Sequence, residues 1–219
     1  MKLTAYFQEA GWKRVTMSLA GNLFVGIGVA IFKFSVLGND PFNGMNMALA
    51  DLFHIPYPTV QIMVNILFFA IQLIAAKELI GFGTVVNIFL IGYIVNLCYG
   101  LLCRLFGAPG TLAVQLAVML IGMLICSLGL SLYQCSEMGT APYDALALIL
   151  NRKLPKIPYF WCRIFCDGGC ALICFLAGGL VGLGTLASAF GFGPVIAFFD
   201  RHVSRPLISR LPEQGQEVA

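Results

Sequence analysis

The sequence points to an all-α membrane protein with six transmembrane helices, built as two inverted-topology three-helix repeats, each with a short re-entrant or interfacial helix. Composition, a duplicated segment and the placement of Lys and Arg lead there. The 219 residues are 59% hydrophobic and 11% charged, against roughly 25% charged in a soluble domain. Residues 38–44 (GNDPFNG) return as 139–145 (GTAPYDA), a spacing of 139 − 38 = 101. Residues 79–92 (LIGFGTVVNIFLIG) return at the same spacing as 180–193 (LVGLGTLASAFGFG), with six of fourteen positions identical. Matched glycines and prolines weigh most, because each fixes a backbone feature.

The elements follow in order. A cytoplasmic segment, 1–14, carries Lys2, Lys13 and Arg14. Repeat 1 covers 15–106 and repeat 2 covers 111–200, with a cytoplasmic tail at 201–219. Apolar stretches lie at 15–36, 59–76, 84–103, 111–135, 159–181 and 185–199; a span needs about 20 apolar residues. The sixth is short and interrupted by Gly191, Gly193 and Pro194, which predicts a tilted or broken helix. The first resembles a signal peptide, but it is too long and belongs to the repeat, so it is expected to stay.

Within each repeat a long helix ends at glycine, Gly38 or Gly139, and proline follows three residues later, Pro41 or Pro142. Glycine past a helix end and proline in the first turn of the next are the usual punctuation. Short helices are then predicted over 41–53 and 142–151. At about 1.5 Å per residue they are too short to cross. Ile55-Pro56-Tyr57, recurring as Ile157-Pro158-Tyr159, opens the second span. Gly83-Thr84 and Gly184-Thr185, in Gly-x-Gly-Thr turns, open the third.

Three spans per unit is an odd number, so the second copy enters from the opposite side. Lys77, Arg152, Lys153, Lys156, Arg201, Arg205 and Arg210 fall on the side of the N-terminus, and Arg104 opposite. The positive-inside rule then places both termini in the cytoplasm of a bacterial inner membrane.

Candidate functional residues are the polar groups that such a bilayer makes expensive. Arg163 and Asp167 share one face of the fifth span, and an ionisable group near the midplane costs at least about 2.5–3.5 kcal/mol on insertion scales. Their repeat mates are polar too: Gln61 for Arg163, Asn65 for Asp167, and Asn43 for Asp144. About a pseudo-twofold axis these six would approach one another. Asn87 and Ser188 form a fourth pair. Asn39, Asp40 and Thr140 stand at the starts of the short helices, where capping is as good an explanation as binding. Lys33, the mate of Gln134, is expected to snorkel to the outer interface.

Cys162, Cys166, Cys170 and Cys174 line one face of the fifth span. Small residues for close helix packing explain them better than a metal ladder, since their mates Val60, Val64, Phe68 and Gln72 are not ligands. No phosphate loop, HExxH or GxSxG pattern is present, and His54 and His202 lie in a loop and the tail. No enzyme, metal or cofactor is expected. The positive charge is topological and calls for no nucleic acid.

The turn Gly139-Thr140-Ala141-Pro142-Tyr143-Asp144, its degenerate partner Gly38 to Asn43, and the two Gly-x-Gly-Thr elements resemble YczE-like and YitT-type bacterial membrane proteins. The resemblance spans residues 15–200 and implies a polytopic inner-membrane protein of about six spans. It implies no general biochemical role beyond occasional support of biosynthetic pathways. Of the two turn positions only Asp144 matches that pattern as an acid; Asn43 departs from it.

The residues favour a secondary transporter of a small solute, working by alternating access. Asp167 is the expected proton- or sodium-coupling group, Arg163 balances it, and Asp144, Asn43, Asn65 and Gln61 line the site. The alternatives are a non-transporting accessory protein for a membrane or biosynthetic partner, and a substrate-binding subunit of an ATP-driven transporter. The lipid bilayer and an unidentified small solute are the expected partners, and an oligomer is compatible.

Overall fold

A computed structural model describes residues 11–209. Lys2, Arg210 and the outer parts of both terminal segments lie outside them. The described residues form α1 (Trp12–Phe34), α2 (Pro41–Phe53), α3 (Tyr57–Ala75), a 3₁₀ turn (Lys77–Leu79), α4 (Phe82–Phe106), α5 (Leu112–Cys135), α6 (Pro142–Lys153), α7 (Tyr159–Leu176), α8 (Leu183–Phe199), a π-helical turn (Asp200–Ser204) and α9 (Arg205–Ser209), with no strand among them. Six of the helices are long and apolar enough to cross a membrane. Backbone polar groups must be satisfied within each segment in lipid, which is why helices serve.

The helix ends obey local chemistry. Asp40 caps α2 by accepting the Asn43 backbone N–H at 3.1 Å, and Pro41 follows at the first helical position, where its missing N–H costs nothing. Thr111 caps α5 through the Val114 N–H at 3.4 Å. α6 opens with Pro142 and runs to Lys153, two residues past the expected end.

The sixth span departs from expectation. α8 passes through Pro194 without a break. Proline removes the N–H that would bond the Phe190 carbonyl, but only that one, and the apolar sequence on either side continues the helix. The irregularity falls later, in the π turn, and the candidate span extends from Leu183 to Ser209.

α1 and α5 pack antiparallel as the central pair. A Cβ on Gly21 would lie 2.5 Å from the Tyr133 amide nitrogen, one on Gly28 2.5 Å from that of Cys126, and one on Gly122 2.6 Å from that of Phe32. Ascending numbers on α1 meet descending numbers on α5, and only glycine permits the approach. α1 is accordingly the most enclosed of the spans, while Leu67, Phe165 and Phe175 face outward at 62–75% exposure. Outward apolar surface of that extent is the expected face toward lipid.

Around this pair the two halves use the same turn. Val36 and Glu137 have φ of 61° and 56°, and Gly38 and Gly139 have 104° and 107°. Ser35 Oγ donates to Phe32 O at 2.6 Å, and Ser136 Oγ to Tyr133 O at 2.6 Å. The turns then reach across. Gly83 N–H donates to Met138 O at 2.7 Å, and Gly184 N–H donates to Leu37 O at 2.8 Å. The short helices are exchanged as well: α2 packs on α7, and α6 on α3.

Candidate functional site

Phe42 and Tyr143 occupy equivalent positions 101 residues apart. Their rings stack on each other, 4.4 Å between centroids and 12° between planes. Each sits in the first turn of its short helix, one residue past the proline, so the stack brings the starts of α2 and α6 together. Phe68 leans on both rings at 6.1 and 6.2 Å.

The charged groups gather beside this stack. Arg163 on α7 places Nη1 2.5 Å from Asp144 Oδ1 on α6, and Nε 3.5 Å from Asp167 Oδ2 on its own helix. Its guanidinium lies 4.9 Å from the centre of the Tyr143 ring. The Tyr143 hydroxyl donates to Asp167, and the Tyr133 hydroxyl, from α5, donates to Asp144. Both carboxylates are therefore buried with a charged and a neutral partner each. A buried charge survives only when paired and hydrogen-bonded in this way.

The first half contributes neutral mates. Asn43 donates through Nδ2 to both oxygens of Asp40, at 3.1 and 2.9 Å, and accepts the Tyr57 hydroxyl at 2.7 Å. Gln61 is 1% exposed, and its Oε1 has no hydrogen-bond partner. Asn87 donates to Asn22 Oδ1 at 3.0 Å.

Two cavities open among these groups. A small one of about 50 Å³ is lined by Asp40, Asn43, Gln61, Asn87, Asp144 and Arg163, with apolar residues between. A larger one of about 310 Å³ takes in Gln134, Tyr159, Arg163, Asp167, Ser188 and Asp200. Asp40, Leu130, Arg163 and Phe192 border both. Asp200, in the π turn, lines the larger cavity and is held by Ser131 Oγ at 2.6 Å, which also meets Ser204 Oγ at 2.5 Å. π turns recur at functional sites because they displace one side chain from the regular helix face.

Of the six expected site residues, Asp144, Arg163 and Asp167 come together through the ion pairs, and Asn43 and Gln61 join Asp144 and Arg163 at the small cavity, while Asp167 lines the larger one. Asn65 borders neither cavity; its Nδ2 bonds the Gln61 carbonyl of its own helix at 3.0 Å and its Oδ1 is unpartnered. The turn residues Gly38, Pro41, Gly139, Pro142, Gly83, Thr84, Gly184 and Thr185 are structural. Thr84 Oγ1 donates to Thr140 O at 2.9 Å and accepts the Gly81 N–H at 3.1 Å, and Thr185 Oγ1 accepts the Gly182 N–H at 3.4 Å. Lys33 rests 4.3 Å from the centre of the Tyr99 ring. Cys170 and Cys174 pack against Phe42, Met45 and Ala48, and no group of three potential ligands for a metal occurs among the described residues.

Tyr133, Tyr143, Asp200 and Asn22 were not legible as site residues. For Tyr143 a signal existed: it is the mate of Phe42 and differs from it by the one hydroxyl that reaches Asp167.

The profile described as Family of unknown function (DUF6198) matches residues 12–201. The chain belongs to this family. The match runs from the first residue of α1 into the π turn, so the family spans all the helices that form the site. A Haemophilus influenzae protein described as uncharacterized is 28% identical over 205 residues, which cover 93% of this chain and 88% of that one. No solved structure matches.

Proposed function

We propose that this DUF6198 protein is a secondary transporter of a small solute, moving it by alternating access between two inverted repeats. The exchanged hydrogen bonds carry the reading: Gly83 to Met138 and Gly184 to Leu37 relate one half to the other reciprocally. Reciprocal contacts are the mark of a twofold relationship. Equivalent helices α1 and α5 run antiparallel, as inversion across a membrane requires. In this reading the stacked Phe42–Tyr143 pair lies at the pseudo-twofold axis. The short helices α2 and α6 enter from opposite sides and meet there, and the solute occupies the larger cavity.

Sidedness has its own support. The ion pairs Arg14–Glu137 and Arg152–Glu78 join the start of α1, the turn after α5, the turn after α3 and the end of α6. These are the segments that the Lys/Arg pattern assigns to the cytoplasm, with both termini, in a bacterial inner membrane. The resemblance to YczE-like and YitT-type proteins is carried by the turns and adds no activity.

Purified protein in liposomes tests the reading. Flux of members of a broad metabolite panel, lost in Arg163→Gln and Asp144→Asn, is expected. Absence of flux across the panel, with and without ion gradients, would overturn it in favour of the accessory role.

A further inference from the structure

We infer that the protein rests open to the cytoplasm, and that its opposite state forms when α7 closes on α8 while α3 leaves α4. The inference rests on the reading of two inverted repeats, and its test separates the two.

Equivalent surfaces of the two halves differ in one respect. In the first half Lys33, Tyr57 and Tyr99 meet, with Lys33 Nζ 5.9 Å from the centre of the Tyr57 ring and 4.3 Å from that of Tyr99. Their mates Gln134, Tyr159 and Asp200 all border the larger cavity instead. Tyr57 is 8% exposed and Tyr159 is 41% exposed. Deeper in, Pro58, Ile91, Gly92 and Val95 are buried, while their mates Phe160, Phe192, Gly193 and Ile196 line the cavity with part of their surface uncovered. The same helix pair is thus shut in one half and parted in the other: α3 packs closely on α4, whereas α7 and α8 have little contact.

Glycine marks the shut joint. A Cβ on Gly92 would lie 2.3 Å from Gln61 Oε1 and 2.8 Å from Pro58 Cα, so α3 rests there on bare backbone. Around a Cβ on Gly193 nothing lies within 4 Å. Pro194 beside it is one reason to lack a Cβ; the uncovered mates on every side are independent of that. Gln61 Oε1 is pressed into the shut joint without a hydrogen-bond partner. Parting α3 from α4 would end that cost.

Two packings of this helix pair are therefore available to one fold, and the chain holds one in each half. Exchanging them gives a second state made of the same kinds of contact. In it α7 closes against Gly193, and a cavity opens between α3 and α4. Asn65, now buried with Oδ1 unpartnered, takes the place that Asp167 holds in the larger cavity. Gln134, Tyr159 and Asp200 lie at helix ends that the Lys/Arg pattern assigns to the cytoplasm, so the present state opens inward and the exchanged one outward.

The test is labelling with an impermeant maleimide, read site by site by mass spectrometry, from outside intact cells and from the cytoplasmic face of inverted vesicles. Ile196→Cys should react readily from the cytoplasmic face. Val95→Cys replaces a side chain only 1% exposed, and it should react slowly from outside as the second state is visited. Adding Gly92→Ala should speed that reaction by about tenfold or more, because its Cβ fits only when α3 has moved. Gly193→Ala should slow it by about fivefold or more, and Gly193→Leu further, by blocking the closure of α7. Gly169→Leu, at an exposed α7 position with nothing within 4 Å, should leave the rate unchanged. Melting in detergent checks that each variant folds. The inference is overturned if Val95→Cys stays unreactive even with Gly92→Ala, if neither Gly193 variant slows it relative to Gly169→Leu, or if Ile196→Cys is closed to the cytoplasmic reagent. Solute flux without this exchange of accessibility would overturn it and leave transport standing; exchange without flux would sink transport alone.

Discussion

Arg163 holds Asp144, nineteen residues away on a different helix, at 2.5 Å, and Asp167, on its own helix, at 3.5 Å. The intrahelical pair that the four-residue spacing announces is thus the looser of the two. The tighter contact ties α7 to the first turn of α6, so the guanidinium joins two helices instead of neutralising one.

Removing that cation should be costly. Arg163→Met leaves two buried carboxylates without a counter-charge, and breaking a buried pair from one side costs about 3–5 kcal/mol. Asp144→Asn in the same chain should restore part of the loss, since it removes one stranded charge. Unfolding of the single and double variants in detergent gives the coupling; simple additivity would count against a shared network.

Two glycines should respond in opposite ways. Gly139 has φ of 107°, and a Cβ there would lie 2.6 Å from both Gly81 Cα and Thr84 Oγ1, so Gly139→Ala should destabilise by about 2 kcal/mol or more. Gly168 is helical with nothing within 4 Å of its would-be Cβ, so Gly168→Ala should be neutral or stabilise by about 0.5–1 kcal/mol. Relative Tm values check both.

Thiol labelling reads sidedness. Cys103 is exposed near the end of α4, and Cys162, Cys170 and Cys174 are buried. An impermeant maleimide should label Cys103 from outside intact cells and leave those three untouched. Labelling of Cys103 only from the cytoplasmic side would contradict the proposed orientation.

Glu78 offers a pH test at the surface. Its hydrogen bond from Arg152 lowers its pKa. A depressed folded pKa means the stabilisation is present above the ordinary glutamate range and is lost as pH falls through the folded value. The Tm difference between wild type and Glu78→Gln should therefore be small at neutral pH, shrink in acid, and diminish with added salt because the pair is solvated.

Much of the fold was legible because bilayers demand long apolar segments and glycine and proline punctuate them. The polar mates Asn43 and Asp144, and Gln61 and Arg163, stood out against apolar neighbours. Tyr133 did not, since a tyrosine in an apolar run carries no mark of where its hydroxyl goes, and Tyr143 was marked only by its difference from Phe42. Asp200, the last residue assigned to repeat 2, lay just past the sixth apolar stretch and carried no mark of a site; the helix continues, and the π turn brings it beside Ser131. Asn65 was misleading for the opposite reason: periodicity gives a residue's helix face, not whether a neighbour leaves space beside it.

The crossed links from Gly83 to Met138 and from Gly184 to Leu37 join main chain to main chain. A latch made of peptide groups makes no demand on side-chain identity beyond the room that glycine leaves. Each half can therefore carry amides or charges in its side chains without losing its attachment to the other. The second half carries Asp144 and Arg163 where the first carries Asn43 and Gln61, and the same pair of main-chain links serves both.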